Sequence, residues 1–275
     1  MRVIVVVQAR TGSSRLPGKV MLPLGGRPLL RRMLDRVVAA HLIDDVVVAT
    51  TRFEADEPIR AVAREAGVPC VSGDPLDLLD RHVEAARATR ADVVVKIPSD
   101  CPLIDPRVID AVVGFFRRHG GRHDIVSNLL PPSWPDGNDV EVMRRDALEL
   151  AWREADRPFQ REHTTPFLWD QPERFLVANV TAGSWSRPEL PTTHRLTLDY
   201  VEDYHLICAV FDALHEESGA PFSVESVVDY LDAHPEIRAL NARHGGASWT
   251  SRHRDELRTL AAPGLAPPSI TAETR

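Results

Sequence analysis

Runs of aliphatic residues alternate with amphipathic stretches along the first half of the chain. Continuous apolar runs, typical of buried strands, occur in "RVIVVVQ", "DDVVVATT", "VPCVSG" and "ADVVVKI". Between them apolar residues recur at helical spacing, as over 28–40, where Leu29, Met33 and Val37 share one face opposite several arginines. Strands that are apolar on both faces and separated by helices are typical of a parallel sheet covered on both sides. The pattern predicts an α/β domain.

Two of the predicted helices have recognisable first residues. Asp74 followed by Pro75 predicts the start of a helix that runs to about Arg90, and Asp105 followed by Pro106 predicts the start of the next. An Asp side chain at the N-cap accepts a hydrogen bond from the first turn, and Pro suits the first turn because the N–H there has no partner within the helix.

The alternation changes after Gly121. Strand patterns in "DIVSN" and "NDVEVM" flank the proline-rich loop "LLPPSWPDG", a helix is predicted over 146–154, and further strands in "RFLVANV" and "HRLTLD", the last ending at Asp199. A helix through "EDYHLICAVFDAL" and two shorter helical pieces lead to His244. Beyond it Gly, Ala, Pro, Ser and Thr dominate without an apolar period, which predicts a loosely ordered tail over 245–275.

Composition limits the classes of function. The 275 residues are 43% hydrophobic and carry a formal net charge of −7. A general nucleic-acid-binding protein needs a basic surface to replace phosphate counterions, and no apolar run in the sequence reaches membrane-spanning length. The three separated cysteines provide neither a disulfide framework nor a paired metal motif, which is typical of a reducing compartment. We expect a cytoplasmic protein that binds neither nucleic acid nor membrane.

Positive charge is concentrated in the first loop. "QARTGSSRLPGK", residues 8–19, carries two Gly, two Ser, two Arg and one Lys without an acidic residue. Ligands of open α/β sheets bind beyond the carboxyl ends of the strands, where a Gly-rich loop lets backbone N–H groups approach phosphate. The loop matches neither GxxxxGK[ST] nor GxGxxG. Its length and cation spacing favour a polyphosphate ligand, the alternative being a solvated surface loop.

Lysine is rare in this chain. Of 33 basic residues only Lys19, which closes the loop, and Lys96, which precedes "PSDCPLID", are lysines. A compact ammonium on a flexible stem binds phosphate differently from a planar guanidinium. Lys19 is therefore a candidate phosphate ligand, while for Lys96 chance retention is an equal alternative.

Seven segments, taken in order, resemble one family. They are "QARTGSSRLPGKVMLPLGGRPLL", "VVVATT", "SDCPLIDP", "DIVSN", "PDGNDVEV", "REHTTP" and "RLTLD". Together they resemble the cytidylyltransferases of the spore coat polysaccharide biosynthesis family, relatives of the CMP-sialic acid and CMP-ketodeoxyoctonate synthetases, over about residues 1–242. The resemblance implies the nucleotide-diphosphosugar transferase fold, an α/β/α sandwich with a mixed, mostly parallel sheet, and a homodimer. The nucleotidyltransferase domain would span 1–244, with a nucleotide-binding half (1–121), an acceptor and dimerisation region (122–200) and closing helices (201–244).

The resemblance also implies a reaction and a set of site residues. The reaction is CTP plus a sugar acid giving a CMP-sugar and pyrophosphate, with Mg²⁺, or Mn²⁺ in its place, as cofactor. Asp100 and Asp199 match the metal-binding aspartates, each at the end of a strand, and Mg²⁺ prefers a few carboxylates with phosphate oxygens and water. Lys19, Arg10 and Arg15 match the triphosphate-binding loop and are the expected catalytic cations. The expected nucleotide-binding residues are Gln8, Ala9, Arg10, Gly12, Ser13, Arg15, Lys19, Thr50 and Ser99.

The acceptor is expected at "PDGNDVEV" and "REHTTP". The candidate acceptor-binding residues are Asn128, Asp136, Asn138, Asp139, Glu141, Arg161, Glu162 and His163. For His163 a structural hydrogen bond is favoured over a role as catalytic base, and Asp139 can equally be a turn residue. Pro98 and Ser99 replace the Thr and Gly usual in the family beside Asp100, which alters the backbone next to the expected metal ligand.

Other functions stay open from the sequence. A glycosyltransferase of related fold would consume a nucleotide sugar and release no pyrophosphate, and a nucleotidyltransferase could use another base or a phosphonate acceptor. A non-catalytic binding domain would be expected to lack one of Lys19, Asp100 and Asp199, and this chain keeps all three. The expected partners are CTP and a small acidic acceptor.

Overall fold

The computed structural model describes residues 1–183, 185–217, 219–246, 249–261 and 269–271. Within these ranges eight strands form one mixed sheet with helices packed on both faces. In the same ranges, none of the helices is long and apolar enough to cross a lipid bilayer.

Strands and helices are numbered in chain order. The strands are β1 (Val3–Gln8), β2 (Pro23–Leu24), β3 (Arg27–Pro28), β4 (Asp45–Thr51), β5 (Cys70–Gly73), β6 (Val93–Pro98), β7 (Ile125–Ser127), β8 (Glu141–Arg144), β9 (Val177–Thr181) and β10 (Ser269–Thr271). The helices are α1 (Leu29–Val37), α2 (Glu57–Glu65), α3 (Leu78–Thr89), α4 (Pro106–Arg118), α5 (Arg145–Glu154), α6 (Pro158–His163), α7 (Pro166–Trp169), α8 (Leu190–Thr193), α9 (Val201–Leu214), α10 (Val224–Ala233), α11 (Pro235–Arg238), α12 (Trp249–Arg252) and α13 (Arg258–Ala261). Short 3-10 helices cover Lys19–Met21, Glu54–Asp56 and Ala239–His244.

The sheet has the order β10-β9-β7-β8-β6-β1-β4-β5, and β2 and β3 form a separate ladder. Strand β8 runs antiparallel to its neighbours β6 and β7, and the other neighbouring pairs of the sheet are parallel. The expected α/β fold with a mixed, mostly parallel sheet is confirmed.

Alternate residues of β1 enter two different hydrophobic cores. Val3, Val5 and Val7 pack with α1, α2 and α4, whereas Ile4 and Val6 pack with α3 and α5. Because successive side chains of a strand point to opposite faces, a strand covered on both sides must be apolar at every position. This burial explains the continuous aliphatic run at the start of the chain.

The predicted start of α3 is wrong, and that of α4 is confirmed. The side chain that caps α3 belongs to Asp77, which accepts a hydrogen bond from the backbone N–H of Asp80 at 2.9 Å. Asp74 instead accepts from the backbone N–H of Leu76 within the preceding turn. Both aspartates suit a cap, and the turn formed by Asp74 moves the helix start three residues on. Asp105 caps α4 as predicted.

The strand predicted in "HRLTLD" is also wrong. This segment forms an isolated bridge between Arg195 and Asp136 and belongs to no strand of the sheet. Its backbone bonds to two loops instead, from Leu196 N to Asp136 O at 2.7 Å and from Leu198 N to Asp100 O at 2.8 Å. The second of these bonds brings Asp199 beside the end of β6.

Part of the tail predicted over 245–275 lies within the described residues. Leu257 is buried in the core formed by α3, α5 and α7. Asp170 accepts hydrogen bonds from the backbone N–H groups of Arg258 and Thr259 at 3.0 and 2.8 Å. Residues 247–248, 262–268 and 272–275 of the predicted tail lie outside the described residues.

Candidate active site

The basic loop is anchored by a buried aspartate that the sequence did not single out. Asp56 accepts hydrogen bonds from the backbone N–H and the hydroxyl of Thr11 at 2.8 and 2.6 Å, and from the hydroxyl of Thr51. Burial alone would raise the pKa of Asp56, but these hydrogen bonds outweigh it and hold the pKa below its ordinary value. The loop then closes through Gly18 N to Thr11 O at 2.9 Å, with Gly18 in the left-handed region at φ +70°. This turn starts the short helix that carries Lys19.

Lys19 lies at the centre of an ionic cluster. Its Nζ is 3.0 Å from Asp199 Oδ1, 3.4 Å from Asp100 Oδ2 and 2.7 Å from the carbonyl oxygen of Leu198. Only 9% of the residue is exposed. Burial by itself lowers the pKa of Lys19, but Asp100 and Asp199 outweigh it, and the pKa stands above its ordinary value. Lys19 is therefore a fixed, permanent cation.

Asp199 is shared by three cations. Besides Lys19, Arg15 Nη2 lies 2.7 Å from Oδ1, and Arg195 Nη2 lies 3.0 Å from Oδ2. Arg195 also contacts Asp136 through Nη1 at 2.8 Å. The geometry thus joins the basic loop, the end of β6 and the segment before α9 in one site.

A buried network fixes Arg195 and Asp199. Asp203 accepts from Arg195 Nε at 3.1 Å and from the backbone N–H groups of Asp199 and Tyr200 at 2.9 Å each. Asn241 donates to Asp203 Oδ1 at 2.8 Å and to the carbonyl oxygen of Arg195 at 3.0 Å. The sequence analysis missed these three residues. Asp203 lies three positions after Tyr200, the N-cap residue of α9, and an acid at that spacing is a capping-box signal in the sequence. Nothing in the sequence around Arg195 or Asn241 indicates a role in the site.

Gly137 lets the loop before β8 approach this segment closely. Its φ is +105°, and a Cβ there would lie 2.7 Å from the carbonyl carbon of Leu196 and 2.9 Å from the nitrogen of Thr197. Real Cβ atoms do not approach backbone so closely, so glycine is required by both its φ and its surroundings. The "PDG" of the sequence is therefore a contact point of the site.

The donor set fits a hard cation. Burial, followed by the charges of Asp136 and Asp100, raises the pKa of Asp139 to about 8. Burial likewise raises the pKa of Asp136, although a hydrogen bond from Thr197 opposes it. Among the described residues no group of three or more His, Cys, Asp or Glu side chains could hold a metal by itself. Asp100 Oδ2 and Asp199 Oδ1 both lie within 3.4 Å of Lys19 Nζ, and two neighbouring carboxylates are compatible with Mg²⁺, which prefers a few carboxylates together with phosphate oxygens and water.

The expected nucleotide-binding residues surround the end of β1. Ala9 N donates to Ala49 O at 3.0 Å, and Ser99 N donates to Gln8 O at 3.2 Å. Thr50 is buried on β4, and its hydroxyl has no partner. Of the expected loop cations, Arg15 enters the aspartate cluster, whereas Arg10 is exposed and its Nη1 lies 3.5 Å from Pro75 O, in the turn before α3. Gly12 and Ser13 lie in the same loop.

The expected acceptor residues before β8 divide into two groups. Asn128 and Asn138 are buried and hold the loop: Asn128 accepts from Val140 N at 2.9 Å and donates to Asn138 O at 2.7 Å, while Asn138 accepts from Asp105 N at 3.0 Å. The acidic residues form ion pairs: Asp136 pairs with Arg195, and Glu141 pairs with Lys96.

The expected acceptor residues of "REHTTP" lie at a different place. Arg161 Nε lies 2.6 Å from Asp77 Oδ2 at the start of α3, and its Nη1 donates to Trp152 O and Ala155 O at 3.1 Å each. The ring of His163 stacks on Trp249 with centroids 3.9 Å apart, and Glu162 is exposed. Arg161 and His163 thus join α6 to α3, α5 and α12.

Comparisons with known proteins show the family and the fold of the chain. A family model described as cytidylyltransferase matches residues 4–202. The spore coat polysaccharide biosynthesis protein SpsF of Bacillus subtilis is 28% identical over 239 residues, covering 85% of this chain and 95% of that protein. A solved structure of a cytidylyltransferase from Leptospira borgpetersenii has a TM-score of 0.80 at 30% identity, covering 86% of this chain and 96% of that chain. A structure of CMP:2-keto-3-deoxy-manno-octonic acid synthetase complexed with CTP has a TM-score of 0.58 at 17% identity, covers 78% and 99% of the two chains, and shows a shared fold.

Proposed function

The chain belongs to the cytidylyltransferase family and is a CTP-dependent nucleotidyltransferase, and we propose that it transfers CMP from CTP to a hydroxyl group of a small acidic sugar or sugar-like acceptor. The observation that carries this proposal is the convergence of Lys19 and Arg15 on Asp199, with Lys19 also paired to Asp100 just beyond the carboxyl end of β6. Cations for a polyphosphate and carboxylates for a metal are the two requirements of phosphoryl transfer without a covalent intermediate.

In the proposed reaction the acceptor oxygen attacks the α-phosphorus of CTP, and the bond from that phosphorus to the bridging oxygen breaks. The acceptor loses its hydroxyl proton to solvent, and pyrophosphate leaves in line. Positioning and charge neutralisation supply most of the rate in such transfers. Lys19 is held by three oxygens, whereas 38% of the Arg15 side chain is exposed. Lys19 therefore provides a fixed charge, and Arg15 can turn from Asp199 onto the departing pyrophosphate.

Asp100 and Asp199 would hold Mg²⁺, or Mn²⁺ in its place, and the bound ion would polarise the phosphoryl oxygens. Arg195 and Lys19 orient the Asp199 carboxylate for this task.

The proposal includes a homodimer, as the family resemblance implies. Light scattering should then give a mass of twice the 30.6 kDa of the chain.

A pyrophosphate-release assay tests the proposed function. It combines CTP, ATP, GTP and UTP with 3-deoxy-octulosonate, a neutral hexose and 2-hydroxyethylphosphonate, with and without Mg²⁺. We expect release with CTP, with the sugar acid and with Mg²⁺, and Asp100→Asn should lower it by about 10²-fold or more, because the charge that binds the metal is removed. Equal rates with all four nucleotides, or release without any acceptor dependence, would contradict the proposal.

A further inference from the structure

A buried ion pair lies on the sheet beside the aspartate cluster. Lys96 on β6 and Glu141 on β8 are direct partners in the antiparallel register, and Lys96 Nζ lies 2.5 Å from Glu141 Oε2. Their side chains are 12% and 5% exposed, respectively. The next strand residues on the same face, Val94 and Met143, belong to the hydrophobic core. The pair is thus a charged site at the edge of an apolar layer.

Unused hydrogen-bonding capacity lies on the same face of the sheet. Val6 pairs in register with Lys96, and Gln8, two residues further along β1, points to the same side. The Oε1 atom of Gln8 is buried without a partner. On α3, which covers this face, the ring of His82 is fully buried with its Nδ1 atom 2.9 Å from Leu78 O, and its Nε2 atom has no partner.

Stability does not explain the pair. Replacing a buried ion pair with apolar residues of similar volume is often neutral or stabilising, because desolvation costs about as much as the attraction returns. The chain has lysine at two positions only, and the other one lies in the ionic cluster of the candidate active site. A functional reason for Lys96 is therefore the better explanation.

The position of the pair suits the acceptor. Lys96 lies four residues before Asp100, a span of at most about 13 Å between Cα atoms at roughly 3.3 Å per residue. Lys96 therefore lies on the strand that leads directly to Asp100. The pair is neutral as a whole and therefore suits hydroxyl groups, because a carboxylate accepts a hydrogen bond from a hydroxyl and an ammonium donates one to it. A lysine without a carboxylate partner would suit an anionic group instead.

We propose that Lys96 and Glu141 form the specificity-determining pair for the acceptor and bind neighbouring hydroxyl groups of a polyhydroxylated acid. This inference rests on the proposed function and narrows its acceptor class. Glu141 accepts from one hydroxyl, and Lys96 donates to the same or the adjacent oxygen. The buried Gln8 Oε1 and His82 Nε2 atoms, which have no partner, lie on the same face of the sheet.

The test uses the double variant Lys96→Met/Glu141→Met, because either single variant leaves a buried charge without its partner. The probe is 3-deoxy-octulosonate, and the readouts are the melting temperature, CTP affinity by calorimetry with Mg²⁺, and pyrophosphate release. We expect a melting temperature equal to or above that of the wild type, CTP affinity within twofold, and a fall in kcat/KM for the acceptor of 100-fold or more. Lys19→Met is the control, since it should weaken CTP binding itself.

The outcomes separate this inference from the proposed function. A double variant that keeps wild-type turnover, loses CTP affinity or melts at a lower temperature overturns the assignment of the pair. Release by the wild-type enzyme with 2-hydroxyethylphosphonate alone overturns hydroxyl recognition while leaving CMP transfer intact. Release with none of the acceptors overturns the proposed acceptor class together with the inference.

Discussion

At the scale of single residues, the ionic cluster depends on the shape of its cations as well as on their charge. Lys19 reaches three oxygens with one nitrogen in a nearly closed space, and a carbonyl oxygen is among them. A point charge with three donors fits this geometry, whereas a planar guanidinium needs more room.

Lys19→Arg is therefore expected to lower kcat/KM for CTP roughly tenfold or more, although the charge is kept. The matched control is Arg15→Lys, which changes cation type at the exposed neighbour and should cost less. Steady-state pyrophosphate release measures both variants. Equal activity of Lys19→Arg and the wild type would show that Lys19 does not contact the triphosphate.

Asn241 acts on the site through other residues. Asn241→Ala leaves Asp203 with one donor fewer and frees the backbone of Arg195, so we expect a loss of about 1–3 kcal/mol in unfolding free energy. A positioning role also predicts that the Mg²⁺ concentration for half-maximal activity rises, because Asp199 is less well oriented. A variant that loses stability with an unchanged Mg²⁺ requirement would limit Asn241 to a structural role.

At the scale of elements, the segment before α9 reaches the site by packing rather than by sheet pairing. Leu196 and Leu198 are buried in a third core with Leu206 and Phe211 of α9. Arg195, Thr197 and Asp199 alternate with these leucines and so point to the opposite side, where they contact Asp136 and Lys19. The alternation that predicts a strand is real, but the partners of the segment are two loops.

Gly137→Ala tests that contact. A Cβ at this position meets the backbone of Leu196, so the variant should displace Asp199 and lower both turnover and stability. Gly120→Ala is the matched control, since Gly120 also has a positive φ, +66°, but has nothing within 4 Å of its Cβ position. The control should cost about 1–2 kcal/mol from backbone strain alone, and Gly137→Ala should cost clearly more. Equal melting temperatures for the two variants would contradict the close approach.

Helix α3 carries a histidine that makes stability depend on pH. Burial, with smaller effects from Lys96 and Arg81, lowers the pKa of His82 to about 3, although its bond to Leu78 O opposes the change. In the unfolded chain the His82 ring takes up a proton below a pH of about 6.5, whereas in the folded protein it stays neutral. The free energy of unfolding therefore falls by up to about 1.4 kcal/mol for each pH unit below that value. Between pH 7 and pH 5, the free energy of unfolding measured with urea should therefore fall by about 2 kcal/mol less in His82→Gln than in the wild type. Parallel losses would contradict a buried neutral ring.

At the scale of the whole molecule, the segment around Leu257 packs against the core. Leu257→Ala removes a fully buried side chain and should cost about 2–4 kcal/mol of unfolding free energy, with CTP affinity unchanged. Glu173→Ala, which removes the exposed ion pair with Arg258, should leave the melting temperature nearly unchanged. Equal melting temperatures for Leu257→Ala and the wild type would support the loose tail predicted from the sequence.

The sequence by itself determined the α/β class, the mostly parallel sheet and the family, because each depends on local information. Burial on both faces makes residues 3–7 of β1 and 93–95 of β6 continuously apolar, and Asp105 caps its helix within a few residues of chain. The family resemblance stated from seven motifs is confirmed by the match over residues 4–202. The motifs also supplied Lys19, Arg15, Asp100 and Asp199, which the structure brings within ion-pairing distance.

Only the tertiary structure decided what surrounds those residues. Arg15 and Asp199 are 184 positions apart, Asn241 meets Arg195 across 46, and Lys96 meets Glu141 across 45. A periodic pattern describes neighbours within a few turns, whereas such contacts depend on which strand lies beside which and on where a loop returns. The alternating segment before α9, equally suited to be a strand, was resolved by the same long-range packing.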